Sequence, residues 1–202
     1  MYGALSSPLK LTGNFEEDVN TSYEYFQKTL NDRTNRPTLY GKWIFIEARE
    51  TIDNRPQGFW HIISIQNSHN AFKVFPCTND ENIDLCAQNC VKSHHSITIS
   101  GCEVRNICLL RASRLPWLID IIELANKNDP SICVWLKKGN RKRNDKLYLR
   151  YHHFGVDYVV IFSIEKRFYR LLSAFPVFYA NVKATFDKEA NQYRWSYCEE
   201  KT

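Results

Sequence analysis

Long apolar runs are missing from this 202-residue chain. No stretch approaches the roughly 18 consecutive apolar residues of a membrane-spanning helix. The N-terminus, MYGALSSPLKLTGNFEED, has neither a basic n-region nor a continuous apolar h-region, so no secretory leader is expected. HExxH, a Walker loop and GxGxxG are also missing, which argues against the common metalloprotease, P-loop NTPase and dinucleotide folds. Repeats and low-complexity tracts do not occur. What is present is a chain 44% hydrophobic and 14% aromatic, enough for one buried core, and a single cytoplasmic domain is the expectation. Seven cysteines, an odd set without an export signal, argue against a disulfide framework and leave reduced thiols or a metal site. The formal charge of +5 favours an acidic partner.

Residues 1–13 read as a loose tail. Asn14 suits a helix cap with Glu17 three residues on, and Phe15, Val19, Tyr23, Phe26 and Leu30 recur as a helical stripe. GKWIFIEA and GFWHIISI read as short strands, with RETIDNRPQ between them as a turn. Residues 75–101 are mostly polar and read as an irregular insertion. RASRLPWLIDIIELANKND predicts a helix with Pro116 in its first turn, stopped by Asp129-Pro130. The last third, SICVWLKK, KLYLRYH, VDYVVIFSI and FYRLLSAF, predicts an antiparallel meander with DYVVIF as its central strand and Pro176 closing the last. YANVKATFDKEANQYR predicts a short, basic, exposed terminal helix or tail.

Several groups of residues could carry chemistry. On a strand GFWHIISI, alternation puts Phe59, His61, Ile63 and Ile65 on one face, and an imidazole there is either a satisfied core group or a proton-transfer group. Arg111 and Arg114 precede or enter the first turn of the predicted helix, where cations oppose the dipole unless an anion neutralises them or each pairs with an acid elsewhere. KKGNRKRNDK concentrates Lys137, Lys138, Arg141, Lys142, Arg143 and Lys146 in one hairpin loop, followed by Tyr148; such a run is a solvated turn or an RNA-tracking loop. Ser173 lacks a nucleophile elbow and suits hydrogen bonding to a phosphate oxygen or to backbone. Cys86, Cys90 and His94 are spaced for a metal, with Cys102 or Cys77 as a fourth ligand, although the spacing is not that of a C-x2-C knuckle.

The order GFWHII, RASRLPW, DYVVIF and YRLLSAFPVF resembles the phage-associated nuclease domains grouped with barnase, EndoU, the tRNase colicins and RelE. The resemblance covers roughly residues 40 to 185. It implies an α+β fold with N-terminal helices packed on a four- to five-stranded antiparallel sheet, carrying metal-independent RNA cleavage by the 2′-hydroxyl. On that basis residues 1–40 would be a tail and helix, 41–185 the nuclease-like domain with a Cys/His-rich insertion at 75–102, and 186–202 a tail. His61 would be general acid or base, Arg111 and Arg114 would bind the scissile phosphate, and Ser173 would assist. The catalysis would need no cofactor, with zinc only as a structural ion. The expected partners are RNA, as tRNA or mRNA, and, for a toxin or phage-conflict effector, an antitoxin or immunity protein, with no membrane. A non-catalytic RNA-binding or zinc-stabilised regulatory module is the alternative. The insertion is longer than the family pattern, and Ser173 stands where threonine is frequent.

Overall fold

The computed structural model describes residues 3–66, 95–140, 143–177 and 180–195. Helix α1, Phe15–Phe26, begins where expected: the Asn14 side chain accepts from the Glu17 N–H, and three acidic residues occupy the first turn. A π-helical turn, Gln27–Asn31, extends it. Strands β1 (Thr38–Leu39) and β2 (Lys42–Phe45) form a hairpin through Tyr40 and Gly41, both at positive φ, the two-residue turn whose twist matches paired strands. A second such hairpin, β3 (Thr51–Ile52) and β4 (Arg55–Pro56), turns through Asp53 and Asn54 inside the segment read as a turn.

GFWHIISI is not a strand. Residues Gln57–Ile63 form helix α2, and only Ser64–Gln66 continue as strand β5. A short apolar run fits a helix or a strand equally by periodicity, and tertiary contacts decide here. Phe59 packs its ring 5.0 Å from Tyr23 and 5.3 Å from Phe26. Trp60 donates its indole N–H to the Ile52 carbonyl at 2.8 Å. Phe59, Trp60, Ile62 and Ile63 are thereby buried, while His61 is left half-buried at the rim.

Strands β6 (Ser96–Ile99) and β7 (Glu103–Ile107) pair with β5 in a small sheet, so the described end of the insertion is a hairpin rather than irregular chain. The helix predicted from RASRLPW is two helices, α3 (Leu109–Ser113) and α4 (Leu115–Asn126), hinged at Arg114, with Pro116 in the first turn of α4 as expected. The meander follows as β8 (Ile132–Lys137), β9 (Lys146–His153), β10 (Val156–Ile164) and β11 (Phe168–Pro176).

The main sheet has six strands in the order β1-β2-β11-β10-β9-β8 and is mixed, which corrects the four- to five-stranded antiparallel expectation. Its last four strands are the antiparallel meander with β10 interior, but β2 lies parallel to β11, with Ile44 opposite Tyr169. That register puts both residues into the main core, where helices α1 to α4 cover one sheet face with Phe26, Phe59, Trp117, Leu118, Ile121, Tyr158 and Phe162. Val19 and Leu30 belong to the same cluster, so the N-terminal helix completes the core rather than preceding it.

Helix α5, Ala180–Gln192, forms where a terminal helix or tail is expected, but it is packed rather than exposed, which also corrects the tail assigned to residues 186–202 over its described part. Its Phe186 and Ala190 pack with Trp135, Tyr148 and Val159 on the opposite face of the sheet. Arg150, Asp157 and Asp187 tie this layer together with contacts of 2.6 to 2.7 Å, and Arg150 is 3% exposed. Among the described residues no helix is long and apolar enough to cross a membrane.

Candidate functional site

Strand β2 stops at Phe45, and β11 beyond Arg170 has no β2 residue opposite it. Just past this point β11 carries an extra residue: Leu171 pairs with Phe162 and Ser173 with Ile161, leaving Leu172 between them as a bulge. Helix α2 fills the vacant edge. Its Gly58 N–H donates to the Glu47 carbonyl at 2.7 Å and Gln57 N–H to the Glu50 carbonyl at 2.8 Å. Gly58 is required by close packing, since a Cβ there would stand 2.4 Å from Ile46 Cγ2 and 2.6 Å from the Glu47 oxygen.

Between α2, the chain after β2 and the bulge lies an open cleft of about 210 Å³, with Glu47, Gln57, His61 and Arg170 as its polar walls and Ile46, Ile62, Leu171 and Leu172 among the apolar ones. Arg170 holds Glu47 at 3.2 Å and Glu165 at 3.7 Å, with its guanidinium 4.9 Å above the Phe45 ring. A guanidinium fixed by two carboxylates and an aromatic face has little rotamer freedom left to lose on binding an anion. His61 sits below its ordinary pKa, first because burial disfavours the imidazolium and next because Arg105 repels it, with Glu103 opposing. The ring is therefore neutral near pH 7 and can accept a proton.

The other expected site residues lie elsewhere. Arg111 and Arg114 are 8% and 3% exposed. Arg111 donates to the Ser64 carbonyl at 2.7 Å and stacks 5.0 Å from Phe175. Arg114 donates to the Leu110 carbonyl at 3.0 Å and lies 4.7 Å from Trp117. The helix break changes the electrostatics of Arg111, which falls in the last turn of α3, where a cation complements the dipole; Arg114 stays at the N-cap of α4, with its guanidinium turned back to the Leu110 carbonyl. Arg105 also donates to Ser64, to Oγ at 2.8 Å and to O at 3.1 Å, so two buried guanidiniums staple the C-terminal end of α2, three residues after His61. They hold up the wall that presents His61.

Ser173 pairs with Ile161 beyond the bulge and is not among the residues that line the cleft, whose β11 walls are Arg170, Leu171 and Leu172. Tyr148 is 6% exposed and stacked 4.8 Å from Trp135, which corrects its reading as a surface ring for bases. In the basic loop Lys137 pairs with Glu189, and Lys138 with Asp145 at 3.0 Å; Arg143 is exposed, and Arg141 lies outside the described residues. Cys86, Cys90 and His94 also lie outside them, while Cys102 is exposed, and among the described residues no group of three metal-ligating side chains occurs. Glu47, Gln57 and Arg170 went unmarked in the sequence, where Glu47 and Arg170 stand 123 positions apart and no local spacing joins them. Comparison with known protein families, curated proteins and solved structures finds no match.

Proposed function

We propose that the chain is an endoribonuclease that cleaves RNA by attack of the 2′-hydroxyl on the adjacent phosphate, at the cleft of His61, Glu47 and Arg170. The supporting observation is convergence: a neutral imidazole on α2 and a guanidinium on β11 line one open cleft. RNA carries its own nucleophile, so the protein has to take one proton, steady the extra phosphorane charge and let the 5′-oxygen leave. His61 accepts the 2′-hydroxyl proton as the 2′-oxygen bonds to phosphorus. Arg170 donates to the non-bridging oxygens, exchanging part of its pairing with Glu47 and Glu165 for the phosphate. The bond from phosphorus to the 5′-oxygen breaks, that oxygen takes a proton from water at the open mouth, and a 2′,3′-cyclic phosphate remains.

In this assignment Arg111 and Arg114 support the site through Ser64 and the core, and Ser173 has no part in it. The excess of basic residues would draw RNA to the surface with a steep dependence on salt. The test is incubation of the purified protein with total RNA in EDTA, with mapping of new ends. Wild type should leave 2′,3′-cyclic phosphate ends, and His61→Gln should cut at least ~100-fold more slowly with an unchanged melting profile. Undiminished cutting by His61→Gln would remove the mechanism. Binding of RNA without any cutting would leave the non-catalytic RNA-binding module in its place.

A further inference from the structure

The sheet face beside the cleft carries a group of aromatic rings that the core does not use. The parallel register sets Phe168 opposite Trp43 and Arg170 opposite Phe45, and these four side chains share the face that Ile44 and Tyr169 turn away from. Trp43 is 47% exposed, and its ring lies 4.7 Å from Phe168 and 6.1 Å from Phe45. Phe45 and Phe168 are 5.5 Å apart. A half-exposed tryptophan braced by two phenylalanines offers water a flat, rigid π surface. It is preorganised, because its neighbours already fix its orientation.

Charge identifies the occupant. Lys166 and Arg167, both exposed, lie in the turn that leads into Phe168. Arg170 stands over Phe45 at the join between this face and the cleft. Two neighbouring carboxylates, Glu47 and Glu165, are already held by Arg170. Flat aromatic surface with a cationic rim suits unpaired bases joined by phosphates, because every base has a stacking face and every linkage a negative charge. A buried apolar partner would not need the rim, and a paired duplex would not offer its base faces.

We infer that Trp43, with Phe45 and Phe168, is a stacking platform for a single-stranded RNA base next to the scissile linkage, with Lys166 and Arg167 contacting the flanking phosphates. The inference rests on the RNA reading of the cleft, but its test does not depend on cutting. A single-stranded 2′-O-methyl RNA hexamer lacks the nucleophile and cannot be cleaved by this chemistry. Titrating it into the full chain should quench tryptophan emission, with Trp43 as the main reporter, since it is the exposed tryptophan, Trp60, Trp117 and Trp135 are 2% exposed or less, and Trp195 is half-buried with its ring 5.2 Å from Tyr40. Trp43→Ala should raise Kd about tenfold or more and abolish most of the quench, whereas Trp43→Phe should keep most of the affinity. Both variants should keep the wild-type circular dichroism, because the residue is not part of the core. The corresponding duplex should bind more weakly than the single strand at equal salt.

Equal affinity of wild type and Trp43→Ala, a quench that persists in Trp43→Ala, or no binding by wild type would each overturn the platform. The two readings separate cleanly. Trp43-dependent binding with no cleavage of ordinary RNA would sink the catalytic reading and leave the platform standing. Cleavage by Trp43→Ala at the wild-type kcat/KM would sink the platform and leave the catalysis.

Discussion

A histidine held neutral by burial beside Arg105 has two measurable consequences. The first is kinetic. If His61 is the base, kcat/KM should rise with pH along a limb whose midpoint lies below the ordinary histidine value of about 6.5, and then level off through neutrality. A midpoint above 6.5 would contradict the assignment. The second is thermodynamic. Because the folded pKa is the lower one, the unfolded chain binds the proton more readily, so this contribution is complete above about pH 6.5 and is lost as pH falls from there toward the folded value. Urea titrations at several pH values should show that slope in wild type and a shallower one in His61→Gln. Arg170 invites a different substitution pair. Arg170→Ala should lower kcat/KM by about 10²-fold, and Arg170→Lys should recover only part of it, since an ammonium keeps the charge but not the planar fork.

Helix α2 is the element on which the site depends, and Gly58 is its closest contact with the chain after β2. Gly58→Ala should destabilise the fold by about 1–3 kcal/mol and slow cleavage together, as the helix moves off Glu47; thermal melting and kinetics on the same preparation check this. An unchanged melting temperature would mean that the contact yields easily. Elements governed by local rules could be read in advance. The Asn14 cap, the Phe15 to Leu30 stripe, Pro116 in a first turn and the four-strand meander depend on neighbours in sequence, and they formed as expected. Elements decided by distant partners could not. GFWHIISI is apolar enough for either conformation, and it is Tyr23, Phe26 and the Ile52 carbonyl that make it helical. The Leu172 bulge likewise interrupts the strand alternation that the sequence implies, so that Leu171 pairs with Phe162 and Ser173 with Ile161. Buried arginines mislead for a related reason: the sequence shows their charge, while the fold supplies the carbonyls and rings that absorb it.

Among the described residues helices cover both faces of the six-stranded sheet, and the second layer is fastened through an ion cluster as well as by aromatic packing. Arg150 is the buried cation that Asp157 and Asp187 share. Removing Asp157 by substitution to Ala should cost about 3 kcal/mol, because a desolvated guanidinium loses its bidentate partner, and denaturant unfolding would measure it. A cost below about 1 kcal/mol would mean that Asp187 or water compensates. The cleft draws on residues 47, 61 and 170, and β2 meets β11 across the longest sequence separation in the site. Contacts across 123 positions close late, when loop closure has been met by the rest of the fold. A growing polypeptide therefore carries the histidine long before it carries the guanidinium that faces it. If the chain cleaves RNA as proposed, that delay would keep each nascent copy harmless to the ribosome and message still producing it.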